Sequence, residues 1–444
     1  MIKSQSSPWV FTFLTNALIL AFGTFTGILT ARLLHPEGRG ALAAVLFWPE
    51  ILAGVGICGL NEALVYRMGQ GKESADGIRT AVVSALGLAA VTIAAGLLLM
   101  PYLLGQARAM WINAASGYLV FFIPLNFLSL TLLAVDQAQL RFHRYNLLKL
   151  SVPMAYVIGF VGLWVFHAVS VETVLWANLI GNAIGAGIRI GISRHQLAGK
   201  FSFNEAKSLT FTGLSFHATL LVVLLSSRID RILVLALWDN ATVGLYIAAF
   251  TYSASALSII TNTVHTIVFP RIANSRDDAQ GCTLLSRALR ISMLVITLGT
   301  IPMIALAPWL VPGLFGVDFK AAIVPSVLLL AAYIPLAMRQ IIVRSVRGFG
   351  EARLGVAVEG LSVVLFLTAV YPLGRHFGLL GVAGALLVAN TICLLCSVAY
   401  LQRTFDIGFR DWWGLDMVTL RDVVGYARNS VAGALWLRER ARVT

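Results

Sequence analysis

The sequence predicts an all-α polytopic membrane protein, and three observations carry that prediction. Hydrophobic residues fill 58% of the 444 positions and charged residues only 12%. With a mean hydropathy of +0.84, the chain lies far outside the range of a water-soluble domain. The apolar residues gather in runs of about 20 or more, the length that crosses roughly 30 Å of hydrocarbon at about 1.5 Å per residue. Charges collect between those runs, as they do when the runs lie in lipid.

Windows bounded by charge or by Gly/Pro clusters place spans at 9–34, 41–66, 80–104, 117–140, 150–168 and 171–192. Six more follow at 210–238, 243–269, 289–312, 320–345, 354–373 and 378–401, so about 12 transmembrane helices are expected. The first run is too long for a signal-peptide core and is expected to remain as a span. Between the first two spans lies the hexad "HPEGRG" (35–40). It is expected to form an outer turn, with Pro36 ending one helix, Gly38 and Gly40 permitting the reversal, and Glu37 pairing with Arg39 or Arg32. Gly38-Arg39-Gly40 lacks the lysine and Ser/Thr of a phosphate-binding loop and has no βα unit around it. Beyond Leu401 no further span is expected; 403–444 mixes Trp412, Trp413, Leu420 and Val424 with charges, the pattern of an interfacial amphipathic helix or, alternatively, of a partner-docking segment.

With both termini placed inside, most of the 33 lysines and arginines fall on the inner side, among them Arg67, Arg79, Arg141, Arg144, Lys149, Arg189, Arg194, Arg339 and Arg344. The outer side holds Arg32, Arg39, Arg108, Lys320 and Arg375. Positive residues are retained in the cytoplasm, so both termini are expected there, in a multi-pass protein of the bacterial cytoplasmic (inner) membrane. The net charge of +13 is then a topology signal and does not call for a nucleic-acid partner. Four cysteines in apolar surroundings (Cys58, Cys282, Cys393, Cys396) suit packing better than a disulfide framework. There is no Ser/His/Asp array, metal-ligand spacing, nucleotide fingerprint or large loop, so no catalytic residue, metal site or cofactor is expected and the chain does not read as an enzyme.

Shifted on itself by about 204 to 212 residues, the sequence matches in order along six consecutive spans. Leu33, Gly40 and Ala44 fall on Leu237, Gly244 and Ala248; Ile123-Pro124-Leu125 falls on Ile334-Pro335-Leu336; Ala177-Asn178 falls on Ala389-Asn390. Six spans per half is an even number, so both halves run in the same sense, as in transporters built from two parallel bundles. The expected domains are an N-terminal six-helix bundle (1–193), a cytoplasmic linker (194–209), a C-terminal six-helix bundle (210–402) and a cytoplasmic amphipathic tail (403–444).

The stretches "GILTARLLHPEGRGALAAVLFWPEILAGVGICGL" (27–60), "QLRFHRYNLLKLSVP" (139–153) and "SSRIDRILVLALWDNATVGLYIAAFTYSASAL" (226–257) resemble the polysaccharide biosynthesis, or oligosaccharide flippase, family. That family belongs to the multidrug/oligosaccharidyl-lipid/polysaccharide (MOP) exporter superfamily. The resemblance covers 9–402 and implies a MATE-like, V-shaped pair of six-helix bundles that moves a lipid-linked oligosaccharide to the outer leaflet by alternating access. It departs from the lipid II flippase branch, which carries two further C-terminal helices. The expected function is therefore a flippase for a polyprenyl-pyrophosphate-linked oligosaccharide in O-antigen, capsule or exopolysaccharide assembly. The alternative is a cation-coupled multidrug or small-molecule exporter of the same superfamily. Its partners would be the lipid-linked substrate, membrane lipids, and a polysaccharide polymerase and glycosyltransferases, with H+ or Na+ as the candidate coupling ion and no cofactor.

Charges within hydrocarbon are costly and usually mark a pathway. Arg228, Asp230 and Arg231 of "RIDR" fall mid-span in the seventh helix, Arg228 about 15 Å from Trp238 along the axis. Arg228 and Arg231 are three apart, on one helix face, and guanidinium groups match phosphate oxygens with paired hydrogen bonds. They are the candidate substrate-binding cations, with Asp230 orienting them; a structural ion pair with Asp230 is the plainer reading. Two arginines against one acid lean towards an anionic substrate. Glu50, after Pro49, falls near mid-membrane and is a candidate to carry a coupling proton, as is Glu359, which faces either a cavity or a neighbouring arginine. Arg339 and Arg344, near the inner interface, would widen a cationic entrance. His217 and His265 read as packing residues, and Asn178, Asn182, Asn262 and Asn390 as helix-to-helix hydrogen bonds.

Overall fold

The computed structural model describes residues 6–71, 74–254, 278–346, 349 and 353–408. Asn262, His265 and the tail from 409 onward lie outside the described residues, as does most of the expected eighth span. Among the described residues there is no strand, and nine helices are long and apolar enough to cross a membrane, or ten if one bent pair counts as a span. The chain is a multi-pass helical membrane protein.

The first two expected spans form one element, α1 (Ser6–Gly56), turned on a single residue, His35 (φ 56°, ψ 176°). Before the corner, Phe11 stacks near His143 and Thr12 bonds Asn146; after it, Gly38 meets Val171 and Leu52 meets Gly96. The chain therefore climbs to His35 and descends beyond it. This corrects the expected turn in two ways. Pro36 opens the second arm instead of closing the first, which suits a residue with a fixed φ and no N–H to leave unpaired. Gly38 and Gly40 are helical and permit close contact, not reversal. Glu37 does not pair with either arginine: it accepts from Asn240 Nδ2 at 3.0 Å, while Arg32 donates to the Gly313 carbonyl at 2.5 Å.

The second arm stops short of its expected end. It closes at Gly56, passes through Cys58 (φ 50°) and Gly59 (φ 66°), and resumes as α2 (Leu60–Gly69). A Cβ at Gly59 would lie 2.3 Å from the Gly213 carbonyl oxygen, so only glycine satisfies both the left-handed turn and the crossing.

Four helices follow: α3 (Ala75–Leu104), capped by Ser74; α4 (Ile112–Ala138); α5 (Phe142–Val165); and α6 (Val171–Ser193), opened by a Ser170/Thr173 capping box. The connection from α6 is fastened to α3, with Lys200 N donating to Asp76 Oδ1 at 2.7 Å and Ser202 N to Thr80 Oγ1 at 3.0 Å. The expected linker is partly helical, because α7 (Phe203–Ser226) starts at Phe203 under a Ser202 cap. The seventh span is not one helix: α7 gives way to α8 (Ile229–Leu237), and α9 (240–254) follows, capped by Asp239 through Thr242 N at 3.0 Å. Those Thr242 hydrogen bonds hold the Asp239 carboxyl below its ordinary value.

These elements make up one compact unit, the described part of Met1–Ser255 together with Ala307–Ser326 and Gly374–Val382. Its tightest crossing is reciprocal. A Cβ on Gly40 would lie 1.8 Å from the Asn240 carbonyl oxygen, and one on Gly244 would lie 2.0 Å from that of Pro36. Each glycine sits four residues into its helix and meets the first residue of the other, and these are the two glycines that the repeat aligns.

The second unit holds most of α10 (Asp278–Phe315), α11 (Ile323–Val346), α12 (Arg353–Phe377) and α13 (Leu379–Phe405). Leu285, Leu289 and Ile296 of α10 pack with Met338, Ile341 and Ile342 of α11 and with Leu401 of α13. Between helices in lipid, such fitted contacts and interhelical hydrogen bonds replace the hydrophobic driving force. Asn390 Nδ2 supplies one, to the Ala332 carbonyl at 3.5 Å.

Candidate functional site

The break between α7 and α8 falls on the "SSRIDR" stretch and has a local cause. Ser226 and Ser227 bond back to the carbonyls of Val223 and Leu224, at 3.1 and 2.9 Å, competing with the helical ladder. Arg228 then leaves the helical region (φ −128°, ψ 0°) and α8 begins at Ile229. The expectation of an unbroken mid-span helix is thus corrected: Arg228 is the residue before a new helix. Asp230, in the first turn of α8, is buried and accepts from Tyr246 Oη at 2.8 Å, an acid placed where the helix dipole favours it. Arg231 donates to the Ser227 carbonyl at 2.6 Å, satisfying an acceptor freed by the break.

Both guanidinium groups nonetheless converge. Each lies 6.0 Å from the centre of the Phe47 ring, and Arg231 stands 4.3 Å from that of Phe250, within cation–π range. Arg231 Nε is 3.7 Å from Asp230 Oδ1. Across from α8, Arg228 Nη1 pairs with Glu50 Oε2 at 3.1 Å. Glu50 is thereby joined to "RIDR", although the two are far apart in the chain. Arg228 and Glu50 are the open pair, with side chains 27% and 46% exposed, against 17% and 7% for Arg231 and Asp230. The tally of charge also changes: two arginines now stand with two acids, so the formal charge of the cluster is balanced.

The remaining candidates lie elsewhere. Arg339 is not at an interfacial entrance; it is buried, 3.3 Å from Glu359 Oε2, with Nη1 donating to the Val358 carbonyl at 3.3 Å. Glu359 therefore faces a neighbouring arginine. Arg344 is half-buried in the last turn of α11. His217 is buried, and among the described residues neither ring nitrogen has a hydrogen-bond partner. Asn178 accepts from Tyr118 Oη at 2.8 Å and is joined to Asn182 on the same helix.

Two cations, one expected on each side of the membrane, are buried among helices. Arg189 is buried and donates to the Leu148 carbonyl at 2.6 Å, beside the fully buried Asp136 that Arg144 engages at 2.6 Å. Arg108 is also buried and donates to Asn240 Oδ1 and to the carbonyls of Leu235 and Trp238 at 2.6–2.7 Å. It closes the end of α8 and, through Asn240, reaches Glu37. Sequence reading passed over Arg108, Phe47, Tyr246 and Phe250: a cation in a loop and aromatics on apolar helices carry no signal of their own.

The fold recurs in known structures. It superposes on the lipid II flippase MurJ in an inward closed conformation with a TM-score of 0.76, at 14% identity over 97% of this chain and 99% of that one. An inward-facing multidrug resistance MATE family transporter gives 0.71, at 14% identity over 87% and 94%. A MOP superfamily transporter from Pyrococcus furiosus, described as having a binding pocket of reverse polarity, gives 0.62, at 13% identity over 89% and 95%. The chain shares the fold of these MOP transporters. The chain belongs to the polysaccharide biosynthesis protein family, whose model matches residues 29–324. None of the curated proteins compared with it matches.

Proposed function

We propose that the protein is a flippase that carries a polyprenyl-pyrophosphate-linked oligosaccharide from the inner to the outer leaflet of the bacterial cytoplasmic membrane, for O-antigen, capsule or exopolysaccharide assembly. The observation that carries this reading is the convergence of Arg228 and Arg231 on Phe47 at a break in a membrane helix. Two planar guanidinium groups around one ring would offer paired donors to a diphosphate. Burial of a charged headgroup requires such partners, since lipid supplies none.

Glu50 sets the condition for binding. While ionised it occupies Arg228; once it takes up a proton or a sodium ion, Arg228 is released to phosphate and the pocket gains a net positive charge. Coupling of transport to H+ or Na+ would run through this exchange, with Asp230 and Tyr246 holding Arg231 in place. Within this reading both termini are cytoplasmic, 1–193 and 210–402 act as parallel bundles joined by 194–209, and a polymerase and glycosyltransferases work beside the protein.

The test is replacement of Arg228 and Arg231 by alanine, singly and together, in cells scored for surface polysaccharide. The double variant is expected to lower display at least about tenfold, the worth of one charge-assisted hydrogen bond of about 1.5 kcal/mol or more. Normal display at normal protein level would sink the headgroup assignment. A second reading, export of small cations, is favoured by the exposed Glu50 carboxylate; it predicts drug hypersensitivity of a deletion strain with surface polysaccharide intact.

A further inference from the structure

The first unit carries an apolar groove that the transport site does not use. It runs between α5 and α6, has a volume of about 510 Å³, and presents almost no polar surface. Small residues make its floor: Ala155 and Gly159 on α5 and Ala177 on α6, where a Cβ on Gly159 would lie 3.6 Å from that of Ala177. Isoleucines make its walls, Ile158 being 65% and Ile184 46% exposed. From Thr173 to Ile188 the groove follows α6 for about 22 Å, at about 1.5 Å per residue, close to the length of one membrane acyl chain.

One end of the groove is cationic. The start of α5 and the end of α6 carry Arg141, Arg144, Lys149 and Arg194. Arg144 is held by Asp136, and Lys149 Nζ donates to Asn16 Oδ1 at 2.9 Å. Arg194, one to two turns beyond Ile188, is exposed; its Nε lies 3.3 Å from His195 Nε2, and no carboxylate among the described residues forms an ion pair with it. The only acid on α6, Glu172, stands at the opposite end of the helix.

We infer that this groove is a binding site for an anionic phospholipid of the surrounding bilayer, with one acyl chain laid between α5 and α6 and the phosphate headgroup at Arg194. A channel with two walls and a floor touches a chain on three sides, where a flat helix face touches it on one, so the chain is held longer than bulk lipid. A cation at the headgroup level selects negative charge. The site is independent of the flippase reading.

The intact protein, reconstituted in vesicles of equal phosphatidylglycerol and phosphatidylcholine without any polyprenyl lipid, is extracted gently and its retained lipid identified by native mass spectrometry. Retained lipid is expected to favour phosphatidylglycerol about fivefold over the vesicle ratio, what one cation beside an anionic headgroup supplies. Arg194→Glu is expected to keep the retained lipid and lose the preference. Gly159→Leu, which fills the floor, is expected to lose the lipid; Ala155→Leu gives the same reading should Gly159→Leu not fold. Retention at the bulk ratio by the wild type, or undiminished retention in a folded filling variant, overturns the site. So does lipid retained only when polyprenyl phosphate is added, which would make the groove a substrate-tail channel. Efficient cross-linking of Ile184→Cys to a second copy would overturn it in favour of a protein interface.

Discussion

In the proposed function Glu50 governs access to Arg228. Its carboxylate is 3.1 Å from Arg228 and almost half exposed, so it competes with any phosphate that approaches. Glu50→Gln removes the competing charge. If the proposed headgroup site is right, the variant is expected to bind polyprenyl pyrophosphate at least as tightly as the wild type, as measured by ligand-induced fluorescence change in detergent. Markedly weaker binding by a folded Glu50→Gln variant would sink the competition. Arg339 tests a different kind of charge. It is buried with Glu359, and breaking a buried pair leaves an uncompensated ion, so Arg339→Met is expected to cost about 3 kcal/mol or more. Arg339→Met combined with Glu359→Leu is expected to regain most of that in thermal unfolding, because the pair's attraction roughly repays its desolvation.

At the scale of elements, interruptions matter more than helices. The expected second and seventh spans are each broken, at Cys58–Gly59 and at Ser227–Arg228, and both breaks sit where backbone groups need partners other than the helical ladder. The serine pair at 226–227 could be seen in the sequence, but serine in a membrane helix usually bonds its own preceding turn without ending it. Gly40 and Gly244 show the converse case. Alanine for glycine in a helix interior normally gains about 0.5–1 kcal/mol, and this is expected at Gly23, where a Cβ meets nothing within 4 Å. At Gly40 or Gly244 a Cβ would fall on a carbonyl oxygen, so Gly40→Ala and Gly244→Ala are each expected to cost about 1–3 kcal/mol of overpacking. Thermal unfolding of the three variants measures the change of sign.

For the whole molecule, charge placement and length decided most of what could be foreseen. The bias of cations predicts that both termini face the cytoplasm. Fluorescent-protein fusions at either end are expected to light up, and a cysteine at His35, on an exposed corner, is expected to react with an impermeant maleimide added outside intact cells. Labelling of that cysteine only after lysis would reverse the orientation. The all-helical membrane class and the family were legible because each is written in segment length, hydropathy and motif along the chain. "RIDR" was legible because charge in an apolar run is rare. Its partnership with Glu50 was not, since pairing across 178 positions depends on which helix faces meet.

The sequence by itself determined an all-helical membrane protein of the polysaccharide biosynthesis family, with two arginines and an acid within an apolar run; hydrocarbon imposes these terms on any chain that crosses it. Only the tertiary structure decided which charges face one another. It joined Glu50 to Arg228 and sent Arg339 to Glu359, and it buried Arg108 and Arg189 against helix carbonyls. It also put Gly40 of the expected turn into a helix crossing with Gly244. Hydropathy ranks residues by their solvent, whereas an ion pair or a close crossing is set by distances of a few ångströms between segments remote in sequence, and no periodicity encodes those.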